Sequence, residues 1–487
     1  MIEIPTLATF IFYLIFLSAI GIYFYRNTKN IEDYLLGGRS LGKWVTALSA
    51  QASDMSGWLL MGLPGAVYLK GLPAAWIAFG LFLGTLLNWK YVSSRLRIYT
   101  EKLDSITLPT FYEKRFRDSK GFLRITSAIL ILFFFTIYTS SGLVAAGKLF
   151  ESMFKIDYRI SVSIGMSVIV LYTFLGGFKA VSWTDLFQGA LMVISIVVVP
   201  VIAFYSSDGI DTVREVMVSK NISTGLIPQG SLAILTILSS MAWGLGYFGQ
   251  PHILVRFMGI RSVKDLPASM KIAISWVFIS LAGAVLIGLI AIPMFNGLTN
   301  GDEEKVFIFM VKKLLNPWIA GIMLAAILSA IMSTIDSQLL VSSSSLTEDF
   351  YENFKKKKAS QREIVVVGRL CVIIIAAIAY LLALNPENTV LGLVAYAWGG
   401  LGVVFGPITL FSLFSRKTTW QSALAGMITG TVVLITWKQF GMSKYMYEIV
   451  PGFLSNIIVI IIMNNFIRQT DNDILREFNE VVHECKL

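Results

Sequence analysis

The chain has 487 residues, 55% of them hydrophobic and only 14% charged, where a soluble protein carries nearer a quarter charged residues. Apolar runs of about 20 residues, each long enough to cross a hydrocarbon core of roughly 30 Å, recur along its length and leave no room for a separate soluble domain. The formal net charge of +10 sits in the short connections between these runs, which makes it a topology signal rather than a nucleic-acid footprint.

In chain order the expected spans are 4–25, 42–68, 74–94, 125–152, 160–178, 182–205, 231–255, 272–296, 318–345, 364–384, 389–413, 419–437 and 446–467, thirteen in all. The opening Met1-Ile2-Glu3 lacks the basic stretch of a cleaved signal peptide, so 4–25 reads as a retained span. Of the 40 Lys and Arg, 28 fall on one side of this layout and ten on the other. That bias places the basic loops and the C-terminus in the cytoplasm and the N-terminus outside, in a multi-pass protein of the cell (inner or plasma) membrane. The basic loop 95–124 and the run Lys355–Lys358 read as solvated segments touching anionic lipid headgroups. Two cysteines imply no disulfide framework. Two histidines, His252 and His483, are too few for a histidine-rich metal site.

Two spans carry interruptions. The second holds Ala52-Ser53-Asp54-Met55-Ser56-Gly57-Trp58, with a carboxylate and a glycine near its middle. The seventh holds Gly244-Leu245-Gly246-Tyr247-Phe248-Gly249-Gln250-Pro251, three glycines and a proline that will not hold a regular helix. Pro251 suits the first position of a new half-helix. The two lie five spans apart and cross in opposite directions, so spans 2–6 and 7–11 form two five-helix sets of inverted topology. Paired interruptions of this kind point to a transporter's binding site. The layout is one transmembrane domain over 1–467: an extra helix at 4–25, repeats at 42–205 and 231–413, and two further helices in 419–467. A tail at 468–487 follows.

Unwound backbone offers carbonyls to a hard cation and helix N-termini to a carboxylate. The ninth span adds Ala330, Ser333 and Thr334 on one helical face. There the Ala330 carbonyl and two hydroxyls can meet the carbonyls of Ala52 and Met55. Five neutral oxygens suit a monovalent ion better than calcium or magnesium; the alternative is hydroxyls bonding back to the preceding turn. Asp54, ionisable near mid-membrane, reads as functional and also as an N-cap for the outer half-helix, bonding the N–H of Ser56 or Gly57. Asp185 reads as a helix-dipole partner or an ion-release waypoint. Asp336 either faces the cytoplasmic exit or pairs with an arginine. Trp243 and Tyr247, four apart, either pack or wall a pocket for an apolar ring. Gly80/Gly84 and Gly426/Gly430 have the spacing of close helix packing.

The stretches Leu36–Gly42, Val45–Val67, Thr136-Ile137-Tyr138, Gly176-Gly177, Ala180–Asp185, Trp243–Arg256, Met332-Ser333-Thr334, Asn385–Asn388 and Ala395–Trp398 resemble the sodium/solute symporter family, and the likeness runs from about residue 4 to 465. It implies an all-α polytopic membrane protein of the LeuT-type 5+5 inverted-repeat fold with about 13 transmembrane helices. It implies a sodium site at Ala52, Met55, Ala330, Ser333 and Thr334. It also implies a substrate site at Ser56, Gly57, Trp58, Tyr138, Trp243, Tyr247 and Pro251, with Arg39 in ion coupling beside Asp54. The expected activity is sodium-coupled proline uptake by alternating access, Na+ being the ion; the alternative is the same symport for another amino acid, a carboxylate or a sugar. An intramembrane enzyme needs His252 beside a nucleophile, and no elbow or metal motif supports one.

Overall fold

The structure, a computed structural model, describes residues 4–25, 35–173, 177–207, 209–351, 361–467, 469 and 471–485. The Lys355–Lys358 run and Gly176 lie outside the described residues. Helices account for every expected span: α1 (Ile4–Tyr25), α2 (Lys43–Asp54), α3 (Leu63–Lys70), α4 (Ala75–Leu87), α5 (Ser93–Lys102), α6 (Leu108–Phe116), α7 (Phe122–Phe154), α8 (Tyr158–Thr173), α9 (Phe178–Tyr205), α10 (Ile210–Ser219), α11 (Ala233–Met241), α12 (Pro251–Gly259), α13 (Leu266–Met294), α14 (Val306–Leu314), α15 (Pro317–Ser344), α16 (Gln361–Ala383), α17 (Val390–Phe414), α18 (Trp420–Gln439), α19 (Ile449–Phe466) and α20 (Asn472–Glu484). Nine helices among the described residues are long and apolar enough to cross a membrane by length and composition. The other expected spans are the two broken ones, the short α8, and α18.

Start signals in the sequence set several boundaries. Asn316 caps α15 by accepting from the N–H groups of Trp318 and Ile319, with Pro317 at the first helical position, where its missing N–H costs nothing. Thr389 and Thr419 cap α17 and α18 in the same way. The third span runs on through a π-turn at Asn88–Val92 into α5, about two turns beyond its expected end.

The half-helix α2 packs against α9, α12, α13 and α15, while the stretch Ala242–Gly249 packs against α4 and α17. The small-residue spacing on α4 is used there. A Cβ on Gly80 would lie 2.4 Å from the Met241 carbonyl oxygen, and one on Gly84 2.3 Å from that of Gly244. Backbone therefore meets backbone at the second break. Gly430 likewise approaches the Gly452 carbonyl between α18 and α19. The helix α15 is buried along most of its length, whereas α1 and α19 keep one apolar face exposed, as expected for the periphery of a membrane bundle.

The segment 95–124 is not a solvated loop. It folds into α5 and α6, and the buried Arg97 and Arg115 donate to the carbonyls of Ile260, Ser412 and Ser415. Those two guanidiniums serve packing and not headgroups.

Candidate functional site

The first interruption falls at Met55–Ser56. α2 ends at Asp54, Met55 leaves the helical range at φ −87°, ψ 81°, and Gly57 resumes it at φ −50°, ψ −22°. A Cβ on Gly57 would lie 2.8 Å from that of Ala145, so the restart is pressed against α7. In the last turn of α2 the Ala52 carbonyl accepts from Ser333 Oγ at 2.7 Å and Thr334 Oγ1 at 3.4 Å. The same hydroxyls lie 3.2 and 3.1 Å from the Ala330 carbonyl. Four of the five expected oxygens thus converge across α2 and α15, all of them buried. Each hydroxyl has one hydrogen for two carbonyls, so lone pairs stay available. Met55 sits directly after this turn, where its non-helical ψ takes its carbonyl out of the helical ladder.

Asp54 is not an N-cap. It closes α2, no side chain caps the outer half-helix, and the Ser56 N–H bonds the Asp54 backbone carbonyl at 3.1 Å. Its carboxylate instead accepts the Tyr247 hydroxyl on Oδ2 at 2.6 Å. Asp54 Oδ1 is buried and, among the described residues, makes no hydrogen bond. The Asp54 carbonyl accepts from the Trp58 indole N–H and the Tyr138 hydroxyl, each at 3.3 Å. Ser56 Oγ lies 3.5 Å from the Trp58 N–H. Asp54, Ser56, Trp58, Tyr138 and Tyr247 therefore form one buried cluster between the two breaks.

The second interruption runs as a 3-10 stretch over Ala242–Gly249, Gln250 is extended, and Pro251 takes the first position of α12. Trp398 holds the stretch in place: its indole donates to the Trp243 carbonyl at 2.8 Å and its ring meets Tyr247 edge-on at 5.0 Å. A Cβ on Gly246 would lie 2.0 Å from the Trp398 nitrogen. Trp243 packs beside Tyr447 at 5.4 Å, and both line an open cleft of about 450 Å³ with Gly62, Ala66 and Lys70 from the outer half-helix. Pro251 stands apart from that cleft; it lines a small cavity with Phe178, Val255 and Leu340.

A second polar cluster lies toward the basic side. Asp185 is about two turns into α9, fully buried, and accepts from Ser49 Oγ at 2.7 Å and Arg256 Nη2 at 3.3 Å. Its role as a simple helix-dipole partner is thus replaced by a buried ion pair joining α9 to both inner half-helices. Arg256, which sequence reasoning counted among loop cations, is wholly buried on α12 and also donates to Ser337 of α15. Asp336 is buried in that same turn of α15. Farther out, Arg39 donates to the carbonyls of Met258 at 2.9 Å, Ser105 at 3.0 Å and Thr100 at 3.2 Å. Leu41 bridges to the end of α12, its N–H on the Gly259 carbonyl and its carbonyl on the Arg261 N–H. The inner ends of both broken helices are therefore tied together, while the cleft opens on the opposite side.

Sequence reasoning also missed Glu304 and Lys148. Lys148 Nζ lies 2.6 Å from Glu304 Oε2, and the Glu304 oxygens accept from the first N–H groups of α17, Val390 and Leu391, both at 2.9 Å. Lys148 within a span was the available signal; its partner is 156 residues away.

Two oppositely running broken helices that meet over polar clusters, tied at one end and open at the other, define a secondary transporter of the inverted-repeat class. The chain belongs to the sodium:solute symporter family, whose pattern matches residues 34–430. It is 50% identical over 470 residues to the sodium/proline symporter of Escherichia coli (strain K12), covering 95% of this chain and 93% of that one. It is 48% identical over 465 residues to the high-affinity proline transporter PutP of Bacillus subtilis (strain 168), covering 95% and 98%. In three dimensions it matches a Na+-coupled sialic acid symporter in a substrate-bound outward-open state with a TM-score of 0.80, at 19% identity, covering 96% of this chain and 99% of the other. That likeness fixes the LeuT-type fold, and family membership makes Na+ the coupling ion.

Proposed function

We propose that this chain couples the inward movement of sodium to the uptake of L-proline by alternating access. The observation that carries the ion site is the convergence of the Ala52 and Ala330 carbonyls with the Ser333 and Thr334 hydroxyls. An entering Na+ turns the hydroxyl hydrogens outward and takes all four lone pairs, with the Met55 carbonyl completing a neutral shell suited to one charge. By bridging α2 and α15 the ion orders the turn that ends in Asp54, and so fixes the Asp54–Tyr247 contact. Sodium binding then precedes and strengthens proline binding.

The reading proline rests on the names of the E. coli and B. subtilis relatives and on the fit of the cluster to an imino acid. The N–H groups of Gly57 and Trp58 start the outer half-helix and suit the substrate carboxylate. Trp58, Tyr138 and Tyr247 supply aromatic faces for the ring, and Trp243 stands at the approach from the cleft. Pro251 shapes the inner half-helix. Asp54 attracts the ion and couples it to the substrate, Asp185 and Asp336 line the route of release, and Arg39 holds the inner side shut until both cargoes are bound. Repeats at 42–205 and 231–413 rock against each other, with 4–25 and 419–467 as flanking helices. The N-terminus lies outside and the C-terminus in the cytoplasm, in line with the basic loops. One sodium moved down the membrane potential contributes roughly 2.3 kcal/mol per 100 mV.

Radiolabelled proline uptake into proteoliposomes under sodium, lithium, potassium or proton gradients, with a panel of competing solutes, tests this. A sodium gradient drives accumulation and excess unlabelled proline suppresses it. Accumulation without sodium, or indifference to unlabelled proline, overturns the reading.

A further inference from the structure

A pocket far from the transport route has a chemistry of its own. Between the start of α18, the end of α19 and the tail helix α20, Arg416, Lys417, Asn464, Asn465, Gln469 and Asn479 line a polar hollow of about 500 Å³. Arg416 and Lys417 are exposed and, among the described residues, neither makes an ion pair. The nearby carboxylates are engaged elsewhere. Asp471 caps α20 and pairs with Arg117, Glu477 lies 2.8 Å from Arg117, and Glu480 and Glu484 pair with Lys102. The amide side chains around the two cations supply further donors. Asn464 donates to Thr418 Oγ1 and Gln469 to the Thr418 carbonyl, which fixes the floor of the hollow.

The hollow lies where apolar surface ends. Exposed Ile458, Ile461, Ile462 and Phe466 run along α19 toward it, Ile428 and Val432 are exposed farther along α18, and Phe414 precedes the two cations. Two unpartnered cations with amide donors, at the foot of a lipid-facing apolar flank on the basic side of the molecule, match a phospholipid with an anionic headgroup and not a free solute. We propose that this pocket is a binding site for the headgroup of an anionic phospholipid, its acyl chains lying along α18 and α19. Asn479 and Leu475 of α20 also line the hollow, so the bound headgroup braces the tail helix against the bundle.

The test is native mass spectrometry of the full-length protein in neutral detergent, with phosphatidylglycerol or phosphatidylcholine added. The wild type retains phosphatidylglycerol in preference to phosphatidylcholine, and R416Q/K417Q weakens that retention roughly ten-fold or more. R416K/K417R restores it. Asn479→Glu, at an exposed position on the rim, lowers retention by repulsion with both cations in place, which keeps the test valid if the double variant folds poorly. Equal retention of both lipids, or retention unchanged in R416Q/K417Q and Asn479→Glu, overturns the site. Displacement of the lipid by excess inorganic phosphate at constant ionic strength also overturns it, because a free anion would then suffice.

Discussion

Tyr247 donates its hydroxyl to Asp54 Oδ2 at 2.6 Å, and through that contact the two broken helices touch at their interruptions. Asp54 lies at the last position of one inner half-helix, Tyr247 in the 3-10 stretch of the other span, 193 residues away. Any change in either break is transmitted to the other through this buried bond. Tyr247→Phe keeps the ring against Trp398 and removes only the donor. A hydrogen bond of this kind contributes about 0.5–1.5 kcal/mol, so the sodium concentration for half-maximal uptake should rise several-fold, up to about ten-fold. An unchanged sodium dependence in proteoliposomes would separate this contact from coupling.

Ser333→Ala and Thr334→Ala each remove one hydroxyl from the converging oxygens. Each should raise the sodium requirement about ten-fold, in line with about 1–1.5 kcal/mol per lost contact, and change the proline KM at saturating sodium much less. Ser333→Ala should have the larger effect, since its oxygen lies 2.7 Å from the Ala52 carbonyl against 3.4 Å for Thr334. Sodium titrations of uptake at fixed proline decide the order.

The buried pair Asp185–Arg256 predicts an asymmetry. Removing one partner leaves the other charge uncompensated in the interior, which typically costs about 3–5 kcal/mol. Asp185→Ala and Arg256→Gln should therefore lower the melting temperature of the purified protein strongly. Ser49→Ala, which deletes a neutral group bonded to both partners, should cost less, about 1.5–3 kcal/mol. Equal thermal shifts for all three would rule out the ion pair as the dominant contact.

Gly84→Ala is expected to be among the most damaging changes outside the clusters. Its new methyl group would sit 2.3 Å from the Gly244 carbonyl oxygen and 2.6 Å from the Gly244 Cα, and backbone cannot swing aside as a side chain can. The 3-10 stretch must retreat from α4, carrying Trp243 and Tyr247 with it. Uptake should fall with both sodium and proline dependence altered, whereas Gly42→Ala, with nothing within 4 Å of the new Cβ, should leave both near wild type.

Docking of the tail helix rests on different forces. Buried Ile474, Phe478 and Val481 form its inner face, and Arg117 and Lys102 pair with its acids. Exposed ion pairs contribute about 0.2–1 kcal/mol each, so Phe478→Ala should release α20 more than Arg117→Ala does, read by hydrogen exchange over 472–484. Lys102 holds the Glu480 carboxyl below its ordinary value by hydrogen bonding. A carboxyl lowered on docking favours docking above its free value, and that contribution is lost as pH falls through the lowered one. Protection should accordingly decline on acidification, and Glu480→Gln should flatten the pH response.

The sequence by itself determined the class of protein, the span layout and the position of both breaks. Hydropathy is a property of each segment, and glycine or proline interrupts a helix locally whatever surrounds it. It also brought Ala330, Ser333 and Thr334 to one face, because helical periodicity is local. Only the tertiary structure decided partners. Asp54 was legible as a buried carboxylate, but whether it caps its own helix or reaches Tyr247 depends on how α2 lies against Ala242–Gly249. Arg256 read as one more cation of a basic loop until packing placed α12 among α2, α9 and α15 and gave it Asp185. Lys148 and Glu304, distant in sequence, carry no local pattern that joins them; burial makes each charge require a counter-charge, and the fold alone chooses which one.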